Sequence, residues 1–278
     1  MNKFALIGHP LGHSMSPLIH EKLFAISGAE GEYSLIDIDP KDIHDCHSIF
    51  ETLCGLNVTI PHKQAVIPFM DKLDDTAARY SSVNCIKNDG GKFIGYNTDC
   101  DGFLRSAEKL PIGEKVLILG CGGVGRMIAI ECARHGADIT LAVLPTDMKA
   151  AQLLMAEILA KCSSVSVKIE DIASVNSKYD LLINATPVGM YPNTDACAVN
   201  DSVIENCGSV FDVIYNPSET KLMKTARDMG KIAVGGTAML VYQAVRAHEI
   251  WYGGSFSADD TNKIIREVEN AVNSMNQN

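Results

Sequence analysis

The segment Lys115–Arg134 limits what this chain can fold into more than any other. Val116-Leu117-Ile118-Leu119 reads as a buried strand, Gly120-Cys121-Gly122-Gly123-Val124-Gly125 fits G-x-G-x-x-G, and Arg126–Arg134 continues with helical apolar spacing. Each position of the turn has its own task. Gly120 permits the sharp turn, and Gly122 lets the backbone approach a pyrophosphate. Gly123 and Val124 complete the loop, Gly125 lets the helix pack against the sheet, and the helix N-terminus faces the anion. Six such residues alone also occur in ordinary strand–turn–helix units. Placed between a strand and a helix, they predict dinucleotide binding.

Around this turn the pattern alternates. Lys115–Leu119, Ile139–Val143, Val165–Ile169, Asp180–Asn184, Val210–Ile214 and Lys231–Val234 read as strands, with helical segments between most of them. That is the signature of a Rossmann-like, doubly wound parallel sheet in an α/β protein. Upstream, Lys3–Gly8, Tyr33–Ile38 and Leu56–Ile60 read as strands, and Ser16–Ser27 and Pro40–Leu53 as helices. Val83–Lys87 and Phe93–Tyr96 form a hairpin around Asn88-Asp89-Gly90-Gly91. This half predicts a mixed α/β domain. Pro111-Ile112-Gly113 marks a linker, and Ala238–Trp251 and Ala258–Met275 read as closing helices, the second capped by Ser257.

A length of 278 residues suits two domains, and 46% hydrophobic residues suffice for buried cores. The net charge of −10 argues against nucleic acid or an anionic membrane as the main partner. The apolar run at the N-terminus is too short for a signal segment, and no stretch approaches membrane-spanning length. Nine cysteines without CxxC pairs suggest reduced thiols in a cytoplasm.

The residues that distinguish one dinucleotide from another follow neither usual pattern. The second strand of the parallel sheet ends Val143-Leu144-Pro145-Thr146, with neither an acid for a ribose 2′-hydroxyl nor an arginine for a 2′-phosphate. Asp138 precedes that strand, and Lys149 is the nearby cation.

Polar residues of the first half form a second group. Ser14 and Ser16 stand at a helix start, where free N–H groups suit a carboxylate; either serine could instead simply cap the helix. Asn57, Thr59 and Lys63 surround Pro61 at the end of a strand. Lys63 could be a surface lysine and Asp99 a helix cap, but paired they would make a proton-transfer couple. His9, His13 and His20 are too dispersed for a metal pair, and His44, Asp45, Cys46 and His47 read as a solvated helix face, so no metal is expected.

Several motifs, in order, give the chain a resemblance to the shikimate/quinate dehydrogenase family over nearly its full length. They are Gly8-His9-Pro10-Leu11-Gly12-His13-Ser14-Met15-Ser16-Pro17, Gly55–Lys63, Val83-Asn84, Gly95-Tyr96-Asn97-Thr98-Asp99, Asn184–Met190, Asp212–Pro217 and Met239–Ala244. The resemblance implies Lys63 and Asp99 as the acid–base pair. It also implies that Ser14 and Ser16 hold a substrate carboxylate, while Asn57, Thr59, Asn84, Asp99, Tyr215 and Gln243 surround its ring. For the cofactor it implies Gly120, Gly122, Gly123, Val124, Gly125, Thr146, Lys149, Thr186, Ile214, Gly236 and Met239.

The implied reaction is reversible NADP-dependent reduction of 3-dehydroshikimate to shikimate, in aromatic amino-acid synthesis. The implied division is a substrate domain of residues 1–101 and 238–278 and a dinucleotide domain of residues 102–237, with the site in a cleft. The chain departs from the family where NADP users carry Asn-Arg-Thr and this chain has Leu144-Pro145-Thr146. Cys85 replaces a common threonine, and His248 stands where an aromatic is usual. An NAD-dependent quinate/shikimate dehydrogenase and a non-catalytic dinucleotide-binding paralogue remain alternatives, as do a monomer and a homodimer. Ser14 with Ser16 favours shikimate, and retention of Lys63 and Asp99 favours catalysis.

Overall fold

The computed structural model describes residues 1–12 and 14–276; His13 of the opening motif lies outside them. The chain divides into two compact units. One is Met1–Gly102 with Val241–Val268, and the other is Phe103–Leu240 with the C-terminal stretch from Glu269. Each unit contains a six-stranded sheet.

The first stretch of chain supplies β1 (Asn2–Gly8), α1 (Ser16–Ser27), β2 (Gly31–Asp37), α2 (His47–Glu51), β3 (Gly55–Val58), β4 (Lys72–Leu73), α3 (Asp75–Tyr80), β5 (Cys85–Asp89), β6 (Lys92–Tyr96) and α4 (Asp99–Ser106). The strand order is β2-β1-β3-β5-β6-β4. β1 pairs in parallel with β2 and β3, whereas β5 is antiparallel to both β3 and β6. The sheet therefore mixes parallel and antiparallel strands, and the β5–β6 hairpin is the antiparallel pair that the sequence indicates.

Asp89 pairs with Lys92 across Gly90 and Gly91, whose φ values of 62° and 90° are those of the primed two-residue turn that matches strand twist. The helix expected over Pro40–Leu53 is instead a 3-10 turn, Pro40–Asp45, followed by α2. Asp39 caps the turn by accepting from Lys41 N at 3.0 Å, and three-residue repeats stack Ile43 and Cys46 on the buried side. β4 and α3 carry too few residues for periodicity to reveal. Asp74 caps α3 by accepting from Ala77 N at 2.9 Å.

Alternate residues of β1 face opposite sides. Ala5 and Ile7 join Leu56, Val58, Ile86, Phe50 and Phe93 on one face, and Phe4 joins Phe24, Cys85, Ala247 and Trp251 on the other. Trp251 Nε1 donates to Ile86 O at 3.0 Å, and its indole lies where a Cβ on Gly55 would approach within 2.4 Å. His248 occupies its unusual position as one more ring, against Phe24, Tyr252 and Phe256. Burial lowers its pKa to about 4, so it is neutral at pH 7.

The later chain forms β7 (Lys115–Leu119), α5 (Gly123–Arg134), β8 (Asp138–Val143), α6 (Met148–Lys161), β9 (Val167–Asp171), β10 (Tyr179–Asn184), α7 (Asp201–Glu205), β11 (Cys207–Asp212), α8 (Lys221–Asp228), β12 (Ile232–Gly235), α9 (Gly236–Tyr252) and α10 (Ala258–Met275). β12-β11-β10-β7-β8-β9 are parallel throughout. Leu117, Ile118, Leu119, Leu181, Leu182 and Ile183 are fully buried, as strands covered on both faces require. Strand order reverses between β7 and β10, so a crevice is expected at their carboxyl ends. α5 and α6 are clasped by Arg126, whose Nε and Nη2 donate to Glu157 at 2.7 and 2.6 Å.

Candidate active site

In the first unit the backbone fixes a lysine beside a carboxylate. β3 ends at Val58, and the following turn is pinned by His62, whose N donates to Thr59 O (2.9 Å) and whose Nε2 bonds to Ile38 O (2.7 Å). Lys63 O accepts from Val83 N at 2.8 Å. Held this way, Lys63 Nζ donates to Asp99 Oδ2 at 2.6 Å, both side chains being mostly but not fully buried. The other oxygen, Asp99 Oδ1, accepts from Asn84 Nδ2 at 2.9 Å. Asn84 is itself locked, because its Oδ1 accepts from Thr98 N at 2.6 Å. The Asp99 carboxylate, at the start of α4, therefore engages Lys63 and Asn84, and the lysine side chain beside it stays partly exposed.

The other expected substrate residues of this unit fall into two groups. Thr98 Oγ1 donates to Gln243 Oε1 at 3.4 Å, which puts α9 next to the Asn84–Asp99 pair. Asn57 Oδ1 accepts from Tyr33 OH (2.8 Å), and Asn57 Nδ2 donates to Asn84 O (3.2 Å), so this buried amide is held at both ends. Ser14 Oγ accepts from Ser16 N at 3.2 Å at the start of α1, and Ser16 is buried. Thr59 is half-buried with its methyl against Gly8, where a Cβ would come within 2.4 Å of it.

Sequence patterns assign no role in the site to Tyr33 or His20. The two stack at 4.1 Å between ring centroids, and burial pushes the Tyr33 hydroxyl well above its usual range. His20 is fully buried and its pKa is lowered to about 3, by desolvation first and by His248 second. Its place on α1, one turn past Ser16, is the only sequence signal for this position.

In the second unit the glycine turn has the geometry an anion requires. Gly120 has a φ of 87°, and a Cβ there would meet Thr186 Cγ2 at 2.9 Å. A Cβ on Gly125 would meet Gly120 O at 2.7 Å, whereas those on Gly122 and Gly123 would point into open space. Gly122 caps α5 with no side-chain hydrogen bond, and Val124 is partly exposed behind it. The first-turn N–H groups are thus presented without a competing side chain. This cradle fits a dinucleotide pyrophosphate.

Thr146, on the 3-10 turn after β8, and Lys149, in the first turn of α6, are both exposed. Cys121 Sγ lies 4.0 Å from Asp147 O, so that turn sits beside the glycine loop. It also carries an exposed acid, Asp147, three residues past Leu144. Thr186 Oγ1 donates to Asn184 Oδ1 at 2.7 Å. Ile214, Gly236 and Met239 are buried, and Tyr215 is partly exposed with its hydroxyl pKa raised by burial. Among the described residues, no group of three or more His, Cys, Asp or Glu is placed to hold a metal, and no helix is long and apolar enough to cross a membrane.

A glycine cradle on a parallel sheet, and a lysine–carboxylate couple among hydrogen-bonding side chains, are the parts of a nicotinamide-dependent dehydrogenase. Residues 6–86 match the model of the shikimate dehydrogenase substrate binding domain, and residues 116–239 that of the saccharopine dehydrogenase NADP binding domain. A shikimate dehydrogenase (NADP(+)) of Caldanaerobacter subterraneus subsp. tengcongensis is 37% identical over 271 residues, 95% of this chain and 96% of the relative. The chain belongs to the shikimate dehydrogenase family.

Solved structures agree. The shikimate 5-dehydrogenase of Thermus thermophilus, in complex with NADP(H) and shikimate, has a TM-score of 0.85 at 26% identity, covering 96% of this chain and all of that one. A quinate dehydrogenase from Corynebacterium glutamicum, in complex with NAD, has a TM-score of 0.84 at 31% identity, covering 96% of this chain and 99% of that one.

Proposed function

We propose that this chain catalyses the reversible NADP-dependent reduction of 3-dehydroshikimate to shikimate. The observation that carries this reading is the Lys63 Nζ–Asp99 Oδ2 contact of 2.6 Å, with Asn84 on the second carboxylate oxygen. NADPH, when bound, supplies the hydride for the carbonyl carbon.

The chain's own residues do the rest. As the ketone is reduced its oxygen gains negative charge, and the Lys63 ammonium stabilises that charge and supplies the proton. Asp99 keeps the ammonium aimed, and Asn84 keeps Asp99 aimed. In the reverse direction the same couple accepts the hydroxyl proton. Ser14 and Ser16, at the start of α1, would take the substrate carboxylate, and Asn57, Thr59, Gln243 and Tyr215 its ring hydroxyls. Gly120–Gly125 would hold the pyrophosphate, with Thr186, Ile214, Gly236 and Met239 on the nicotinamide side and Thr146 and Lys149 toward the 2′-phosphate.

The proposed division is a substrate-binding domain of residues 1–101 and 238–278 and a dinucleotide-binding domain of residues 102–237, with Tyr215 serving the substrate and Met239 the cofactor across that division. Nine free cysteines support a cytoplasmic setting, and small molecules are the proposed partners of a monomer or homodimer. A quinate dehydrogenase using NAD is the alternative, favoured by the exposed Leu144-Pro145 where an arginine would hold a 2′-phosphate. Turnover of shikimate and of quinate, each with NADP and NAD, separates the two. Shikimate with NADP is expected to give the highest kcat/KM, and a preference for quinate with NAD would overturn the proposal.

A further inference from the structure

Asp212, the last residue of β11, is wholly buried and forms no ion pair among the described residues. In register it lies between Asn184 at the end of β10 and Gly235 at the end of β12. Its Oδ1 accepts from Ile214 N at 3.1 Å and Asn184 Nδ2 at 3.0 Å, and its Oδ2 from Thr220 Oγ1 at 2.7 Å. These bonds reach further through their partners. Asn184 Oδ1 accepts from Thr186 N (3.1 Å) and Thr186 Oγ1 (2.7 Å), and Asn184 Nδ2 also reaches Val188 O (3.3 Å). Ile214 O accepts from Gly236 N at 3.0 Å. One side chain is thus the hub of three loops at the carboxyl edge of the sheet.

A buried carboxylate without a counter-ion costs stability, and the fold has no need of it as an apolar filler. What it supplies is a purely accepting hub. Every neighbour must turn a donor toward it, which leaves the loops one arrangement. We propose that Asp212 is a positioning residue for the nicotinamide side of the site, holding Thr186 and Ile214–Tyr215 in one geometry while contributing nothing to the adenosine end. This rests on the cofactor assignment proposed above.

Asp212→Ala removes the hub. Asp212→Asn is close to isosteric and can keep all three contacts, with the Thr220 hydroxyl turned to accept. Two titrations and one rate decide the matter: adenosine 2′,5′-bisphosphate binding, NADP binding, and shikimate turnover by the full chain. For Asp212→Ala, bisphosphate affinity is expected to stay within about two-fold of the unmodified protein, while NADP affinity and kcat each fall about ten-fold or more. Asp212→Asn is expected to restore both to within about three-fold.

Equal losses for bisphosphate and NADP, no loss at all, or an Asp212→Asn protein as impaired as Asp212→Ala each overturn the proposal. Should Asp212→Ala fail to fold, Thr220→Val removes one donor and is expected to show the same split at about three-fold; no split overturns it. An unmodified protein inactive on shikimate would instead sink the functional reading, and the ratio of the two affinities would still decide the role of Asp212.

Discussion

In the first unit the candidate site consists of side chains, and in the second mainly of backbone. Lys63, Asp99, Asn84, Thr98 and Gln243 form a chain of side-chain hydrogen bonds drawn from four parts of the sequence. Gly120–Gly125 presents N–H groups from one continuous segment and asks of its residues chiefly that side chains be absent. An arrangement of the first kind suits the reading of hydroxyl positions and is sensitive to the loss of a member. The second accepts any molecule with the right phosphates and fails when bulk is added. This fits the comparisons: residues 6–86 match a substrate-domain model named for shikimate dehydrogenase, while residues 116–239 match an NADP-domain model named for a different dehydrogenase.

The largest effect is expected from Lys63→Ala. It should lower kcat about a thousand-fold while leaving NADP binding unchanged and much of the ground-state shikimate binding intact, as steady-state kinetics and equilibrium titration would show. An unchanged kcat would remove Lys63 from the chemistry. Asn84→Ala frees one oxygen of Asp99, and kcat should fall about ten- to a hundred-fold with a smaller change in KM. In the second unit, Gly125→Ala forces a Cβ to within 2.7 Å of Gly120 O, so both thermal stability and NADP affinity should drop, the affinity about ten-fold. Gly122→Ala points into open space and should weaken NADP binding without lowering Tm. Equal behaviour of the two alanines would contradict a cradle made of backbone.

Acid should separate the units. His20 has its pKa lowered from 6.5 to about 3, chiefly by burial. A base with a depressed folded pKa gives stability that is present above its unfolded value and lost as pH falls below 6.5, about 2 kcal/mol of it by pH 5. Asp212 goes the other way. Burial raises its pKa to about 6, against the hydrogen bonds from Thr220, Ile214 and Asn184, so its contribution is full below about pH 4 and lost as pH rises through 6. Hydrogen exchange, corrected for intrinsic rates, should therefore show α1 and β2 losing protection between pH 7.5 and 5 while β10 and β11 hold or gain it. The smallest effect belongs to Lys149→Ala, expected to raise the KM for NADP a few-fold and leave that for NAD alone. No difference between the cofactors would leave the 2′-phosphate without Lys149.

The parts of the molecule that were readable in the sequence follow the same contrast. The cradle is local, so a strand, six residues and a helix declare it. The hairpin at Asn88–Gly91 and α1 over Ser16–Ser27 were equally plain, because a turn type and a helical period are each written within a dozen residues. The Lys63–Asp99 contact spans thirty-six positions, and only tertiary structure could show that it forms. The Tyr33–His20 stack left no period or motif of its own, and the motifs Asn184–Met190 and Asp212–Pro217 marked their segments without showing that Asp212 would tie them together. The break in Pro40–Leu53 depended on which side chains the core would accept, since helical and 3-10 spacing both suit Ile43 and Cys46.

The first unit is discontinuous, taking Val241–Val268 from the far end of the chain. Gln243, His248 and Trp251, the chain's single tryptophan, all come from that stretch. During synthesis the ribosome must release about nine-tenths of the polypeptide before the Phe4, Phe24 and Cys85 face can be closed. Until then that face stays exposed to chaperones or to other nascent chains, while most of the second unit has already emerged. The emission of Trp251, buried against Phe4, would report when the waiting ends.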